Sequence, residues 1–564
     1  MHKPSSTMRF NWQRLLAMGL IALIAACGGS NSGQVTVSPP DSASRILCAQ
    51  LKGTTIQSAA IGLPSAGATV TSADIVAATA SGNDKGEYCK VIGTIAPSST
   101  APAGTSNINF QVNLPGVWNT KMLQMGGGGY NGTIVTGLDF VSMAWTLPPM
   151  GSPLAQGFAT YGSDSGHVGS SIDATFGTND AMMANFGHEH LKKTKDTVAE
   201  IIKLAYNLAA TKSYFAGAST GGREGMTAAQ RYPQDYDGII AIAPAINFAG
   251  VRLQGVKIGQ AAYAPGGYIN NAKQKLILKV SVDACDSDDG LADRIVSNVE
   301  ACRTKVAAIK ASLRCVDGID TGDTCLSDAQ LKTVSAVSDD LVLTYALANN
   351  VTRHEGYNIL QGADFSGTTL GLGTTATLAT SGVQFGNGYL FFQGDGYLKN
   401  FITKNPTLNT FTFDIANPGT FQQTLNTVSG IVGAMNPDLE AFRARGGKLI
   451  VMHGLADQVI SPNPMIAYYK AQVTKSGQST VDSFLRFYTA PGFGHGDGTF
   501  VPAWDALGAL DKWSTKGEVP GTLVATDSGA SFGRSRPLCP YPGFPKFNGT
   551  GSSYLASSFT CANS

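Results

Sequence analysis

The sequence predicts an α/β protein in which a long insertion interrupts a core of alternating strands and helices. Short β-rich runs alternate with helical segments up to about residue 245, and the pattern resumes near residue 446. A Gly-x-Ser-x-Gly motif at 217–221 joins the end of one such run to a helix. The intervening stretch holds four cysteines and Gly/Thr-rich tracts such as 367–388, a composition typical of a lid. Together these observations favour an α/β-hydrolase core with a large inserted lid domain.

The first element of the candidate site is Ser219, at the centre of that motif. Residues 213–216 supply a strand end, and 223–232 form a helical pattern that Pro233 stops. Flanking glycines permit a sharp turn that lifts the Ser219 hydroxyl above the N-terminus of the next helix. A glycine-rich turn without chemistry is the alternative, but the remainder of the chain supplies partners for a nucleophile.

The acid and the base follow by elimination. In α/β-hydrolase chain order the acid follows the serine and the histidine follows the acid. Asp457 lies on the loop after an apolar run at 448–453, and His495, on a glycine-rich loop after a strand at 484–488, is the only histidine beyond it. A loop histidine bonded to nearby backbone is the alternative for His495. We expect His453 to have a packing role, and His188 and His190 to lie at the surface.

The oxyanion hole requires two backbone donors. The strand at 122–125 is followed by four glycines at 126–129, where backbone can approach a substrate closely. This predicts the N–H groups of Gly128 and Thr220 as the donors. A phosphate-binding loop is excluded because no Lys-Ser/Thr pair follows and no G-x-G-x-x-G lies in a strand-helix frame.

The N-terminus is typical of an export signal. Arg9 and Arg14 precede an apolar stretch at 15–26 that is too short to span a bilayer. Residues 24–28 resemble a bacterial lipobox, in which Cys27 would be lipidated; ordinary cleavage nearby is the alternative. We therefore expect an exported protein, secreted or anchored to the outer membrane through Cys27. The expected segments are a signal peptide at 1–26, a flexible tether at 27–45, core parts at 46–247 and 439–564, and a lid at 248–438.

Charge and cysteine content agree with export. A net charge of +1 with 14% charged residues, and no basic stripe, excludes a nucleic-acid binder. Nine cysteines become eight once Cys27 is set aside, an even number that suits four disulfides. Proximity along the chain favours these pairs, among many possible connectivities: Cys48–Cys89, Cys285–Cys302, Cys315–Cys325 and Cys539–Cys561.

At this point the chain resembles the tannase and feruloyl esterase family over essentially all of the mature protein. The resemblance is carried by residues 126–132 and 163–167, the Ser219 motif, the segment from Ala284 onward, and His453-Gly454-x-x-Asp457. The family typically has cysteines beside the nucleophile and the histidine, joined by a disulfide. Here those positions are Ala218 and Gly496, which leaves the triad intact but removes a restraint on the His495 loop.

An acidic loop predicts a metal site. Asp286, Asp289 and Asp293 surround Gly290, and clustered carboxylates match the oxygen ligands that Ca²⁺ requires; a solvated acidic turn is the alternative. The spacing is not that of an EF-hand. The resemblance implies a structural calcium in the lid, held by the aspartates together with backbone oxygens of Leu291 and Ile295.

The sequence therefore predicts a serine carboxylesterase that acts on small aromatic acid esters through an acyl-enzyme. No arginine lies between His354 and Phe442, where the only cations are Lys399 and Lys404. A bidentate clamp for a substrate carboxylate is thus missing from the late lid, which favours feruloyl or galloyl esters; a clamp formed by arginines earlier in the lid, or by lysine, is the alternative. Mono(2-hydroxyethyl) terephthalate hydrolysis, an activity found in the same family, is the alternative. A non-catalytic binding protein would predict a broken triad.

Overall fold

A ten-stranded mixed sheet organises the part of the chain that the computed structural model describes, residues 48–143, 150–367 and 370–563. Its strands in chain order are β1 Thr55–Ile56, β2 Ala68–Val76, β3 Tyr88–Ile95, β4 Ile108–Pro115, β5 Lys121–Met125, β6 Ala159–Ser163, β7 Lys212–Ala218, β8 Gly238–Ile242, β11 Lys448–Gly454 and β12 Leu485–Ala490. The smaller sheets contain β9 Leu341–Leu347, β10 Val351–His354, β13 Pro502–Ala503, β14 Leu523–Asp527, β15 Ser535–Leu538, β16 Phe544–Phe547 and β17 Phe559–Ala562.

The order of the strands decides where the site forms. In the sheet they lie as β1-β2-β3-β4-β6-β5-β7-β8-β11-β12. The first pairs are antiparallel, and every pair from β6–β5 onward is parallel. Parallel strands end at one edge of a sheet, so the loops after β5, β7, β11 and β12 gather at that edge. Those loops hold the four glycines, Ser219, Asp457 and His495.

The helices cover the parallel part of the sheet, whose strands are buried almost throughout. The α-helices are Asp180–Ala184, His190–Tyr206, Thr220–Arg231, Phe248–Ala262, Asn271–Cys285, Val299–Arg303, Val306–Leu313, Asp328–Ser338, Tyr389–Tyr397, Gln422–Val432, Glu440–Ala444, Asn463–Ser476, Gln478–Asp482 and Ala506–Lys516. The helix predicted at 223–232 begins instead at Thr220, because the turn at Ser219 leads directly into it.

The insertion lies between two neighbouring strands. The chain leaves the sheet after β8 and returns at β11, its parallel partner, after a long passage through helices and the β9–β10 hairpin. All described residues fall within one unit, Ser42–Ser564. The lid boundaries at 248 and 438 stay a prediction. The expected signal peptide, the tether and Cys27 lie outside the described residues. None of the helices described here is both long and apolar enough to cross a membrane.

The four cysteine pairs expected from locality are all present as disulfides: Cys48–Cys89, Cys285–Cys302, Cys315–Cys325 and Cys539–Cys561. Two of them lie within the insertion, one joins the N-terminal segment to β3, and one lies in the C-terminal part. All four therefore link residues outside the loops that meet at the sheet edge.

Candidate active site

Ser219 occupies a strained turn between β7 and the helix Thr220–Arg231. Its backbone has φ 61° and ψ −119°, a conformation that costs a non-glycine residue about 1–3 kcal/mol. Neighbouring glycines permit the turn: a Cβ at Gly217 would lie 2.7 Å from the backbone of Gly221. The Ser219 N–H donates to the carbonyl of Ile242 on β8 at 2.9 Å, which fixes the turn to the sheet. Strain retained at one serine is typical of a nucleophile.

Asp457, His495 and Ser219 form a continuous hydrogen-bonded chain. His495 Nε2 lies 3.1 Å from Ser219 Oγ, and His495 Nδ1 lies 2.9 Å from Asp457 Oδ2. Because a carboxylate can only accept, Nδ1 carries the proton and Nε2 is free to accept the serine proton. The structure thus brings together the three side chains selected from the sequence.

The buried carboxylate of Asp457 is held in its ionised form. Burial alone would raise its pKa, but His495 and His453 together lower the pKa below its usual value. Asp457 Oδ1 also accepts the N–H groups of Val459 and Ile460 at 2.8 Å each. His453 is fully buried, as a packing role requires, and its Nε2 lies 2.9 Å from the Ile460 carbonyl and 3.6 Å from Asp457 Oδ2. It therefore adds a second imidazole beside the acid.

In the glycine loop after β5, the N–H group of Gly128 is free to bind an oxyanion. Gly126 N–H donates to Ala216 O on β7, and Gly127 N–H donates to Glu224 Oε2 at 3.1 Å. Among the hydrogen bonds of the described residues, none uses the N–H of Gly128 or Thr220 as donor. The Thr220 hydroxyl meanwhile donates to Gly129 O at 2.6 Å, joining the loop to the helix. Two unused N–H groups on joined segments suit the binding of an oxyanion.

The Glu224 side chain anchors the glycine loop through hydrogen bonds, a role that was not predicted from the sequence. The side chain is fully buried and accepts from Asn131 Nδ2 at 2.7 Å besides Gly127. Its Oε1 also lies 3.3 Å from His190 Nε2 and 3.8 Å from the Arg223 guanidinium. The sequence did contain a signal for this role. Glu224 lies early in a glycine-rich helix, where an acidic side chain faces the sheet edge that carries the glycine loop.

The surface placement expected for His188 and His190 is wrong. His190 is 4% exposed, because it lies between Glu224 and Ser163 Oγ, which is 3.1 Å from its Nδ1. His188 is half-buried, with Nδ1 2.8 Å from the Tyr232 hydroxyl. Both are covered because this segment packs against the helix that follows Ser219, through Glu224 and through Tyr232 at its end.

The carboxylates of the acidic loop accept hydrogen bonds from the backbone N–H groups of the same loop. Asp286 accepts the N–H groups of Asp293 and Arg294, Asp289 accepts that of Leu291, and Asp293 accepts that of Ile295. Asp293 is also paired with Arg536 at 2.5 Å. Within the described ranges, no three His, Cys, Asp or Glu side chains converge as a metal site.

The donor chemistry of the acidic loop nevertheless suits a hard cation. Burial raises the pKa of Asp289 to about 6, and the charges of Asp286 and Asp293 act in the same direction. One oxygen of Asp288 is buried without a partner. A cation would relieve this repulsion, but Asp293 would first have to turn away from Arg536.

Comparison with known proteins gives a consistent result. The profile of the family described as tannase and feruloyl esterase matches residues 89–562. An uncharacterized esterase of Agrobacterium fabrum is 39% identical over 526 residues, covering 92% of this chain and 93% of that protein. The mono(2-hydroxyethyl) terephthalate hydrolase of Piscinibacter sakaiensis is 29% identical, with 87% of each chain covered. The crystal structure of feruloyl esterase B from Aspergillus oryzae superposes with a TM-score of 0.71 at 23% identity, covering 92% of this chain and 100% of that one, which shows the shared fold.

Proposed function

Since the chain belongs to the tannase and feruloyl esterase family and is a carboxylic ester hydrolase, we propose that it hydrolyses aromatic acid esters by a serine mechanism through an acyl-enzyme. The observation that carries the proposal is the hydrogen-bonded chain from Asp457 through His495 to Ser219. A non-catalytic binding protein has no need of a strained serine held at a histidine whose tautomer is set by a buried carboxylate.

In the acylation half-reaction, Ser219 Oγ attacks the ester carbonyl carbon while its proton passes to His495 Nε2. The carbonyl oxygen becomes an oxyanion, which accepts the N–H groups of Gly128 and Thr220. Collapse of this intermediate breaks the bond to the alcohol oxygen. The alcohol leaves with the proton from His495, and the aromatic acyl group stays on Ser219.

Deacylation repeats the sequence with water as the nucleophile. His495 Nε2 takes a proton from water as the water oxygen attacks the acyl carbon, and the same two N–H groups hold the second oxyanion. The bond to Ser219 Oγ breaks, His495 returns the proton to the serine, and the aromatic acid departs. The ionised Asp457 stabilises the imidazolium in both halves without itself taking a proton.

The substrate we favour is a feruloyl or galloyl ester without a second carboxylate. Lys399 is paired with Asp395 at 2.9 Å, and Lys404 donates to Gly177 O and Asp180, so neither lysine of the late lid is free. Arg252, earlier in the lid, is 2% exposed and stacks on Tyr130 and Phe248. Neither lysine is therefore available to a terephthalate monoester, and the Arg252 guanidinium, although two of its nitrogens lack hydrogen-bond partners, is too deeply buried for a substrate carboxylate to reach.

Calcium binding and export complete the proposal. Asp286, Asp289 and Asp293, with backbone oxygens of Leu291 and Ile295, would hold a structural Ca²⁺ that takes no part in the chemistry.

Four disulfides support an oxidising compartment, and Cys27 would carry the lipid anchor. Mass spectrometry of the mature N-terminus tests the anchor directly.

The proposed activity is tested with a panel of methyl ferulate, methyl gallate and mono(2-hydroxyethyl) terephthalate. We expect higher kcat/KM on the first two substrates, and no hydrolysis by the Ser219→Ala variant. Ser213→Ala is the matched control, because that serine lies on β7, the strand that leads to Ser219, is buried, and has a hydroxyl without a partner. Faster turnover of the terephthalate ester would reverse the substrate assignment. Undiminished turnover by Ser219→Ala would overturn the mechanism.

A further inference from the structure

His495 lies in a short hairpin loop. The residues beside the serine and the histidine, Ala218 and Gly496, cannot form a disulfide that would restrain this loop. Phe493 and Gly498 form an antiparallel bridge, and Gly494 N–H donates to Asp497 O at 2.8 Å. Gly496 and Gly498 both have positive φ, at 94° and 119°, a conformation that favours glycine, so this part of the loop carries no side chain that could restrain it. Something else must hold the His495 backbone in place.

The side-chain amide of Gln458 binds this hairpin loop at two positions. Gln458 is 3% exposed, and its Oε1 accepts the backbone N–H of His495 at 3.1 Å. Its Nε2 donates to both carboxylate oxygens of Asp497, at 3.2 and 3.1 Å. Gln458 directly follows Asp457 in the chain. One loop therefore fixes the imidazole of His495 through Asp457 and the backbone of His495 through Gln458.

We propose that Gln458 is a positioning residue for the triad, with Asp497 as its anchor. The inference rests on the proposed serine mechanism, because it assigns to Gln458 the task of keeping His495 Nε2 within reach of Ser219 Oγ. A shift of about 1 Å in a catalytic group can cost about 100-fold in rate. Gln458 contacts neither of the atoms that exchange the proton, so its effect passes entirely through the His495 backbone.

The charges around position 458 explain why an amide is suited to it. The titratable groups nearby are Asp457, His495 and Asp497 on the two loops. Arg294 and Asp364 line a cavity of about 330 Å³ together with Gln458 and Asp497. An amide can accept from the His495 N–H and donate to the Asp497 carboxylate at the same time. A glutamate at 458 would instead place two carboxylates against each other.

The test is a rescue experiment with four variants of the full chain. Gln458→Ala removes the bonds to the His495 N–H and to the Asp497 carboxylate. Gln458→Glu keeps an acceptor for the His495 N–H but replaces the bond to Asp497 by repulsion between two carboxylates. Asp497→Ala removes the exposed anchor, a change that the fold should tolerate. In the double variant Gln458→Glu/Asp497→Asn, the glutamate accepts from both the His495 N–H and the asparagine amide, with the net charge of the wild-type pair restored. Gln472→Ala is the control, since that glutamine is equally buried and bonds Pro437 O away from the triad.

We expect Gln458→Ala and Gln458→Glu to lower kcat by about 10- to 100-fold with KM nearly unchanged. The rate of Ser219 labelling by an aryl phosphonate should fall in parallel, and the double variant should recover most of the loss. Circular dichroism and melting temperature confirm folding. The proposal is overturned if either Gln458 variant or Asp497→Ala turns over like the wild type, or if the folded double variant shows no recovery. Activity retained by Ser219→Ala would instead overturn the serine mechanism itself.

Discussion

Replacing Gly221 by alanine should separate the two sides of the oxyanion hole. Gly221 is the second residue of the helix after Ser219, and its N–H donates to Gly127 O at 2.9 Å. A Cβ at Gly221 would lie 2.8 Å from that oxygen and 3.0 Å from Gly126 C, both of them backbone atoms. An ordinary contact begins near 3.4 Å, so the glycine loop has to retreat by about 0.6 Å.

The expected loss follows from what that retreat does to Gly128. Removing one oxyanion donor altogether typically costs about 100- to 1,000-fold in kcat. A displaced donor keeps part of its effect, so we expect kcat to fall by about 10- to 100-fold with KM little changed. Stability should fall less than activity, because alanine is favoured over glycine in a helix by about 1 kcal/mol. That gain partly offsets the clash.

Gly225→Ala, one turn later in the same helix, is the matched control. The three atoms nearest to its Cβ would all belong to side chains, the closest at 3.0 Å in Ile239 and 3.3 Å in Phe215, and none of the three to the glycine loop. The assay is steady-state hydrolysis of methyl ferulate, with active sites counted by phosphonate titration and folding followed by thermal denaturation. If Gly221→Ala retains kcat within about threefold of Gly225→Ala, the reasoning that this backbone must lie at its observed position fails.

Three further predictions concern the triad, the acidic loop and the disulfides. Asp457→Asn should lower kcat by about 10⁴-fold through loss of the correct His495 tautomer, and kinetics at wild-type speed would exclude Asp457 as the acid. Removal of metal by EDTA should lower the melting temperature, with recovery on adding Ca²⁺ but not Mg²⁺; a melting temperature indifferent to both would refute the calcium site. Mild reduction should leave activity largely intact, since the four disulfides lie outside the triad loops, and immediate inactivation with the fold preserved would contradict this.

The sequence alone determined the features that depend on local chemistry. The strand-turn-helix around Ser219 follows from glycine spacing, and the choice of Asp457 and His495 follows from chain order and from the small number of histidines. The disulfide pairs followed from proximity, because short loops close at the least entropic cost. These inferences needed no knowledge of which distant segments meet.

Only the tertiary structure decided which buried polar groups become partners. Glu224 meets Gly127 across 97 positions of sequence, and His190 is buried because the helix after Ser219 presents that glutamate to it. The Gln458–Asp497 contact likewise arises because β11 and β12 are adjacent and end at one edge. Local patterns report burial and turns, whereas a hydrogen bond between remote side chains depends on strand order and register. Neither strand order nor register is encoded in any short segment of this chain.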